Sequence, residues 1–273
     1  MRRQTIAVLM LFTVCFLFAN VGAQDFSKST IRKNYEVLSA NRRTGDFDKQ
    51  IESILKYFSS LVGSGFVHTA SLHQIAGLDI GARGVITVVP DELKDIVPGN
   101  LPDVKDPLSG ANAVPIPFLH ASLGLPANFE IMAKFTTTSF DQPDESVTLL
   151  GGALKYGLLR GNMALPAVTL LAGYQTLLVP DQYAFGNVST VSLKGYISKG
   201  FGIATLYGGG GIDRTNLKLE IPGFPDLKGE YEVTYASGVV GATFSPLPLL
   251  KVNGEVNLGE LKNITVGATI SIR

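Results

Sequence analysis

The sequence predicts an all-β chain: an antiparallel up-and-down transmembrane β-barrel of about ten strands, with twelve as the fallback count and an N-terminal amphipathic helix. Three observations lead there. In the stretch 261–273, Ile264, Val266, Ala268, Ile270 and Ile272 alternate with Asn263, Thr265, Gly267, Thr269 and Ser271. A period of two puts one set on each face of a strand. A strand that crosses a bilayer needs about 9–11 residues, apolar toward lipid and polar toward a lumen. Similar segments, separated by Gly-, Pro-, Asn- and Asp-rich turns, fill the chain from residue 75 onward. Finally, the chain is apolar on average (mean hydropathy +0.24) and holds 30 glycines. Yet past residue 23 it has no uncharged apolar run of the roughly 18 residues a membrane helix requires.

The start of the chain reads as a secretory signal peptide over residues 1–23. Arg2 and Arg3 precede an apolar block from Ile6 to Phe18, and Val21-Gly22-Ala23 supplies small residues at a cleavage site. Cys15, the sole cysteine, lies in that block and would leave with it, so the mature chain is expected to hold no disulfide, thiol nucleophile or cysteine metal site. Losing Arg2 and Arg3 changes 23 basic against 23 acidic residues to 21 against 23, a net of −2. No basic patch suggests nucleic acid. The expected partners are membrane lipid and a small or hydrophobic solute, with no cofactor, and the expected location is a Gram-negative-type outer membrane.

Residues 24–65 form a polar segment followed by a helix. Phe47, Ile51, Ile54, Leu55, Phe58, Leu61 and Val62 recur at helical spacing, with Asp48, Lys49, Glu52 and Lys56 opposite, and Gly63-Ser64-Gly65 ends the pattern. The helix either covers a rim of the barrel or plugs its lumen; an apolar face suits a rim better than a polar interior.

The barrel is placed at 66–273. Leu78, Ile80, Ala82, Ile86 and Val88 share one face of the first strand. A long connection, 90–113, follows, with Leu93, Ile96 and Val97 as a short helical turn. Further strands are read at 114–124, 129–140, 146–159, 165–179, 187–198, 203–221, 230–244 and 250–258 before the closing one. The segment 66–73 could hide another. Short connections at 125–128, 160–164, 199–202 and 245–249 are expected on the periplasmic side, the longer ones outside, and both termini on the periplasmic side.

With the more apolar face of each strand outward, the lumen collects Asp79, Arg83, Glu130, Lys134, Lys155, Gln175, Lys194, Glu232, Asn253 and Glu255. A Lys or Arg facing lipid at mid-bilayer costs roughly 2–4 kcal/mol. Charges of both signs in a narrow lumen imply either an ion-paired interior or a selective polar path. The Gly208–Gly211 run marks a kink, a close approach or a lateral opening.

His68, His73 and His120 stand at no metal-ligand spacing. His120 and Ser122 share a strand face, with Glu130 beyond a short turn; this resembles the His-x-Ser pair of the lipid A deacylase barrel, which uses a glutamate as well. Leu123 replaces the polar residue that family places after its serine. A packed lumen histidine is the alternative, and no catalytic residue is assigned. Several segments together resemble an uncharacterised family of outer-membrane barrels found in Bacteroidetes and related bacteria, itself loosely similar to long-chain fatty-acid transporters. They are His68-Thr69-Ala70-Ser71-Leu72-His73 with Gly77-Leu78-Asp79-Ile80, then 150–157, 171–175, 197–201 and 206–211. The resemblance implies a barrel with an N-terminal plug and a role with hydrophobic solutes. It transfers no site residues.

Overall fold

The computed structural model describes residues 46–90, 112–139, 146–162, 164–179, 186–220, 228–247 and 249–272. The expected signal peptide, the polar segment before the helix and the expected helical turn at Leu93–Val97 lie outside them. One helix, α1 (Asp46–Gly63), precedes ten strands: β1 (Leu78–Val88), β2 (Ala113–Leu125), β3 (Phe129–Ser139), β4 (Ser146–Arg160), β5 (Ala167–Leu178), β6 (Gly186–Phe201), β7 (Ala204–Leu219), β8 (Gly229–Leu247), β9 (Leu250–Gly259) and β10 (Asn263–Ile272). Each strand pairs antiparallel with its neighbours in sequence. β1 closes on β10 from Leu78 opposite Ile272 to Thr87 opposite Asn263. The segment 66–73 adds no strand.

The outward face of every strand carries exposed apolar side chains: Ile80, Leu119, Ile131, Leu150, Leu170, Leu193, Ile212, Val240, Val252 and Ile264, one from each in turn. A water-soluble wall would hide such a belt in a core; around a closed barrel it is the surface that lipid wets. This is a membrane barrel. Its two ends differ. The connections 126–128, 161–166, 202–203 and 248–249 form a turn end, and 89–112, 140–145, 179–185, 220–228 and 260–262 a loop end. At the turn end, Ala127 and Asn128 both take positive φ (57° and 64°), the mirror-image turn that matches the twist of a two-stranded ribbon.

The Gly208–Gly211 run makes no opening. β7 stays paired through it, Gly208 with Ile197 and Val240, Gly211 with Lys194 and Ser237. The glycines give room instead: a Cβ on Gly209 would lie 2.6 Å from the Tyr196 ring, and one on Gly241 of β8 would lie 2.4 Å from the ring of Tyr207.

α1 sits at the loop end. Tyr57 Oη donates to the carbonyl of Thr87 (3.1 Å) and Lys56 lies 3.6 Å from Glu260, both at that end of the wall. The first turns show an exposed polar face with Lys49, Glu52 and Ser53. From Tyr57 onward every residue is buried, and Ile51, Ile54, Leu55, Phe58, Leu61 and Val62 face the wall. Each such aliphatic or aromatic side chain contributes about 1.5–3 kcal/mol on burial. The helix therefore both covers a rim and enters the lumen. Residues 64–77 continue down the lumen to the turn end, where Ala76 N–H donates to the carbonyl of Gly124 (2.9 Å) before β1 begins. The expectation set both termini on the side of the short turns; β10 does end there, but α1, the first described element, lies at the opposite end.

Candidate functional site

Nine of the ten lumen candidates face inward and are buried: Asp79, Arg83, Glu130, Lys134, Lys155, Gln175, Lys194, Asn253 and Glu255. Glu232 does not. It lies on the outer face of β8, half exposed, 2.5 Å from Arg214 of β7. There the parity rule inverts, because α1 leans on β7 and β8 and needs Val233 and Tyr235 inward. The outward positions at the loop end carry exposed ion pairs, Lys218 with Glu230 as well.

The inward charges are spent on the backbone of the plug. A helix ends with carbonyls that lack partners, and its C-terminus is the negative end of its dipole. Here lysines fill both needs. Lys134 Nζ donates to the carbonyls of Val62 and Ser64 (3.1 Å to the latter), and Lys194 Nζ to that of Gly63 (2.8 Å). Lys134 also sits over the Phe66 ring, 4.3 Å from its centroid, and Lys194 pairs with Asp213 at 2.8 Å. Asn257 and Asn263 amides donate to the Ser64 hydroxyl at 2.9 and 3.0 Å. Gly65 turns the chain out of the helix with φ +77°, the left-handed cap that glycine adopts without strain.

Below the cap the chain is irregular, and most of its amides and carbonyls lack partners within the segment. Arg83 Nη1 donates to the Gly65 carbonyl (2.7 Å), and the Gly65 N–H donates to Glu255 Oε1 (3.2 Å), whose other oxygen accepts from Tyr207 Oη (2.9 Å). Thr243 holds the His68 carbonyl, and Ser198 Oγ accepts from Ala70 N–H (3.1 Å). Lys155 Nζ donates to the carbonyls of Thr69 (3.3 Å) and Ser71 (3.2 Å) and pairs with Glu130 at 3.1 Å; Glu130 accepts from His73 N–H (3.1 Å). One side of this segment is apolar: Phe66, Val67 and Ala70 pack on Met132, Ala153, Leu171 and Tyr196.

At the turn end the fold gathers His68, His73 and Asp79, with one ligand atom of each within 4.8 Å of the others. Their sequence spacing gave no sign of this. Both imidazole Nε2 atoms approach the same carboxylate oxygen of Asp79, at 3.2 and 3.0 Å, and Lys251 Nζ donates to it at 3.1 Å. Arg83 Nη2 lies 2.8 Å from His68 Nδ1. A guanidinium only donates, so Nδ1 accepts and the His68 proton sits on Nε2, facing Asp79. Two fixed cations and a protonated Nε2 suit a carboxylate that clamps the plug, and suit a metal ion poorly. The Ser271 hydroxyl donates to the other oxygen of Asp79.

His120 and Ser122 point into this same lumen. Neither side chain makes a hydrogen bond among the described residues, and the register places His120 opposite Lys134 and Ser122 opposite Met132, while Glu130 is engaged by Lys155 and His73. The base and orienting group that a serine nucleophile needs are not assembled. Sequence reasoning missed His68, His73, Tyr207, Asp213 and Lys251. Lys251 shares strand parity with Asn253 and Glu255, and Tyr207 and Asp213 share it with Gly209 and Gly211, so parity alone could have found these three.

A family model matches residues 97–272, the barrel from the loop after β1 to the end of β10. The chain belongs to this family of unknown function, DUF6588. No curated protein matches. Among solved structures, the N-terminal barrel of Pseudomonas aeruginosa OprF is 12% identical, with 73% of this chain and 100% of that one covered, at a TM-score of 0.33. OprG of the same organism is 12% identical over 74% and 98%, at 0.30, and the Ralstonia pickettii toluene transporter TbuX 8% over 74% and 90%, at 0.27. Scores this low leave the argument to the chain's own geometry.

Proposed function

We propose that this chain is an outer-membrane β-barrel, exported by its signal peptide, in which the segment 64–77 gates a passage for small or hydrophobic solutes. The observation that carries the reading is the character of the contact between plug and wall. It consists largely of side-chain bonds to the plug backbone, and polar contacts of this kind accompany parts that move relative to one another. Withdrawing Phe66, Val67 and Ala70 would bare an apolar strip on Met132, Ala153, Leu171 and Tyr196, which favours an apolar solute. A ten-strand wall is little wider than one whose interior side chains fill, so the solute must be slender.

A disulfide lock tests the gate. The Leu72 Cγ lies 3.2 Å from where a Gly157 Cβ would stand, a spacing that admits a bridge between Leu72→Cys and Gly157→Cys. In proteoliposomes, the reduced double variant is expected to admit a fluorescent long-chain fatty acid or a small sugar, and the oxidised form neither. If folded protein passes no solute in either state, the gate is wrong. The second reading then takes its place, a structural or adhesive barrel that binds a partner at its loop end. What favours that reading is a lumen filled along its whole length.

A further inference from the structure

We infer that the polar half of α1 stands on the external face of the membrane, and that the chain crosses the membrane once more than its strands do, inside its own lumen. The inference rests on the outer-membrane placement proposed above but not on the gate.

The path is fixed level by level. At the loop end Tyr57 meets Thr87, Lys56 meets Glu260, and the Asn263 amide donates to the Ser60 carbonyl at 3.1 Å. Midway, Gly65 lies between Arg83 and Glu255. Lower down, His68 meets Thr243 and Ala70 meets Ser198, one turn-end strand residue after another. At the turn end Ser71 meets Lys155, and the amides and carbonyls of Gln74 to Gly77 meet one another and Gly124. β10 makes its crossing in the ten residues from Asn263 to Ile272. The plug makes the same crossing between Tyr57 and Gly77, the upper half as the last turns of α1 and the lower half as residues 64–77, whose reach of at most about 3.3 Å per residue is ample for that half. A helix entering from the turn end would instead meet Glu130, Lys155 and Ser271. It meets none of them: those residues hold 69–79.

Short turns face the periplasm and long connections the outside in outer-membrane barrels. The strand ends that the long connections 89–112 and 220–228 join, Val88 to Ala113 and Leu219 to Gly229, lie on the same end as α1. Lys49, Glu52 and Ser53 are exposed there, and Glu52 pairs with Lys56 at 3.3 Å. The barrel thus displays its N-terminal helix outward, and this charged face is the handle by which a soluble factor outside the cell, rather than one in the periplasm, would reach the plug.

Single cysteines test this in whole cells with a membrane-impermeant maleimide, scored only on the heat-modifiable folded band. Lys49→Cys reports the helix, Glu220→Cys the loop end and Ala164→Cys the turn end. Lys49→Cys and Glu220→Cys are expected to label as fully before as after permeabilisation, and Ala164→Cys only after. Lys49→Cys protected while Glu220→Cys labels overturns the inference and leaves the membrane placement standing. All three protected on intact cells overturns both. Independently of sidedness, a zero-length carbodiimide should join Lys56 to Glu260 in the purified full chain; its absence, with the fold intact, removes the helix from the loop end.

Discussion

The upper and lower halves of the lumen hold one continuous plug by different means. Above Gly65 the plug is a helix, so its backbone is already paired except at its last carbonyls, which Lys134, Lys194 and Asn263 meet. Below Gly65 it is irregular, with few bonds of its own, such as Ser71 N–H to Thr69 Oγ1 and Gly77 N–H to the Gln74 carbonyl, so most of its amides and carbonyls need partners from the wall. The lower half accordingly combines donors and acceptors: Arg83, Lys155 and Thr243 against Glu255, Glu130 and Ser198. Much of the charge inside this barrel, from Lys134 and Lys194 to Arg83, Lys155, Glu130 and Glu255, meets the plug's unpaired backbone groups.

Breaking the lower half should do most damage. Asp79→Ala removes the acceptor shared by the Nε2 atoms of both imidazoles and by Lys251, and breaking a buried pair from one side costs about 3–5 kcal/mol. Residues 64–77 should become protease-sensitive in detergent while the strands stay protected. An unchanged digestion pattern would remove Asp79 as the clamp. In the upper half, Lys134→Met keeps an unbranched apolar side chain but removes the ammonium that lies over Phe66 and caps Val62 and Ser64, for a loss of about 2 kcal/mol. Urea unfolding in liposomes should show a smaller shift than for Asp79→Ala; a larger one would reverse the ranking of the two halves. On the wall itself, Ala127→Gly at the β2–β3 turn relieves a left-handed alanine and should raise stability by about 1 kcal/mol without touching the plug. Least of all, Glu232→Gln removes an exposed pair with Arg214 and should move the unfolding midpoint by no more than about 0.5 kcal/mol. A large loss there would mean that the outer pair does structural work inside the wall.

The wall was legible because lipid imposes a simple rule on it: apolar outward at every second residue. Strand number, order and the inward position of Asp79, Arg83 or Glu255 all follow from that alternation. The rule lapses where lipid no longer touches the strand, which is why Glu232 reads as inward from sequence and points outward in the fold. The plug was half legible. Its helix shows in the spacing of Ile51, Ile54, Leu55 and Phe58, and Gly63-Ser64-Gly65 marks its end. The extended part has no periodicity to read, since its bonds run from backbone to distant side chains. His68, His73 and Asp79 meet only because residues 66–77 descend beside β1, a contact that spacing along the chain does not encode.

The pairing of β1 with β10 carries a consequence for assembly. The seam between them closes only after the last strand has been made, and the plug precedes the first. Once the seam is shut the segment has no sideways exit. It can leave only along the barrel axis, tethered to β1 at the turn end, so any opening is a lengthwise slide on a leash of about a dozen residues.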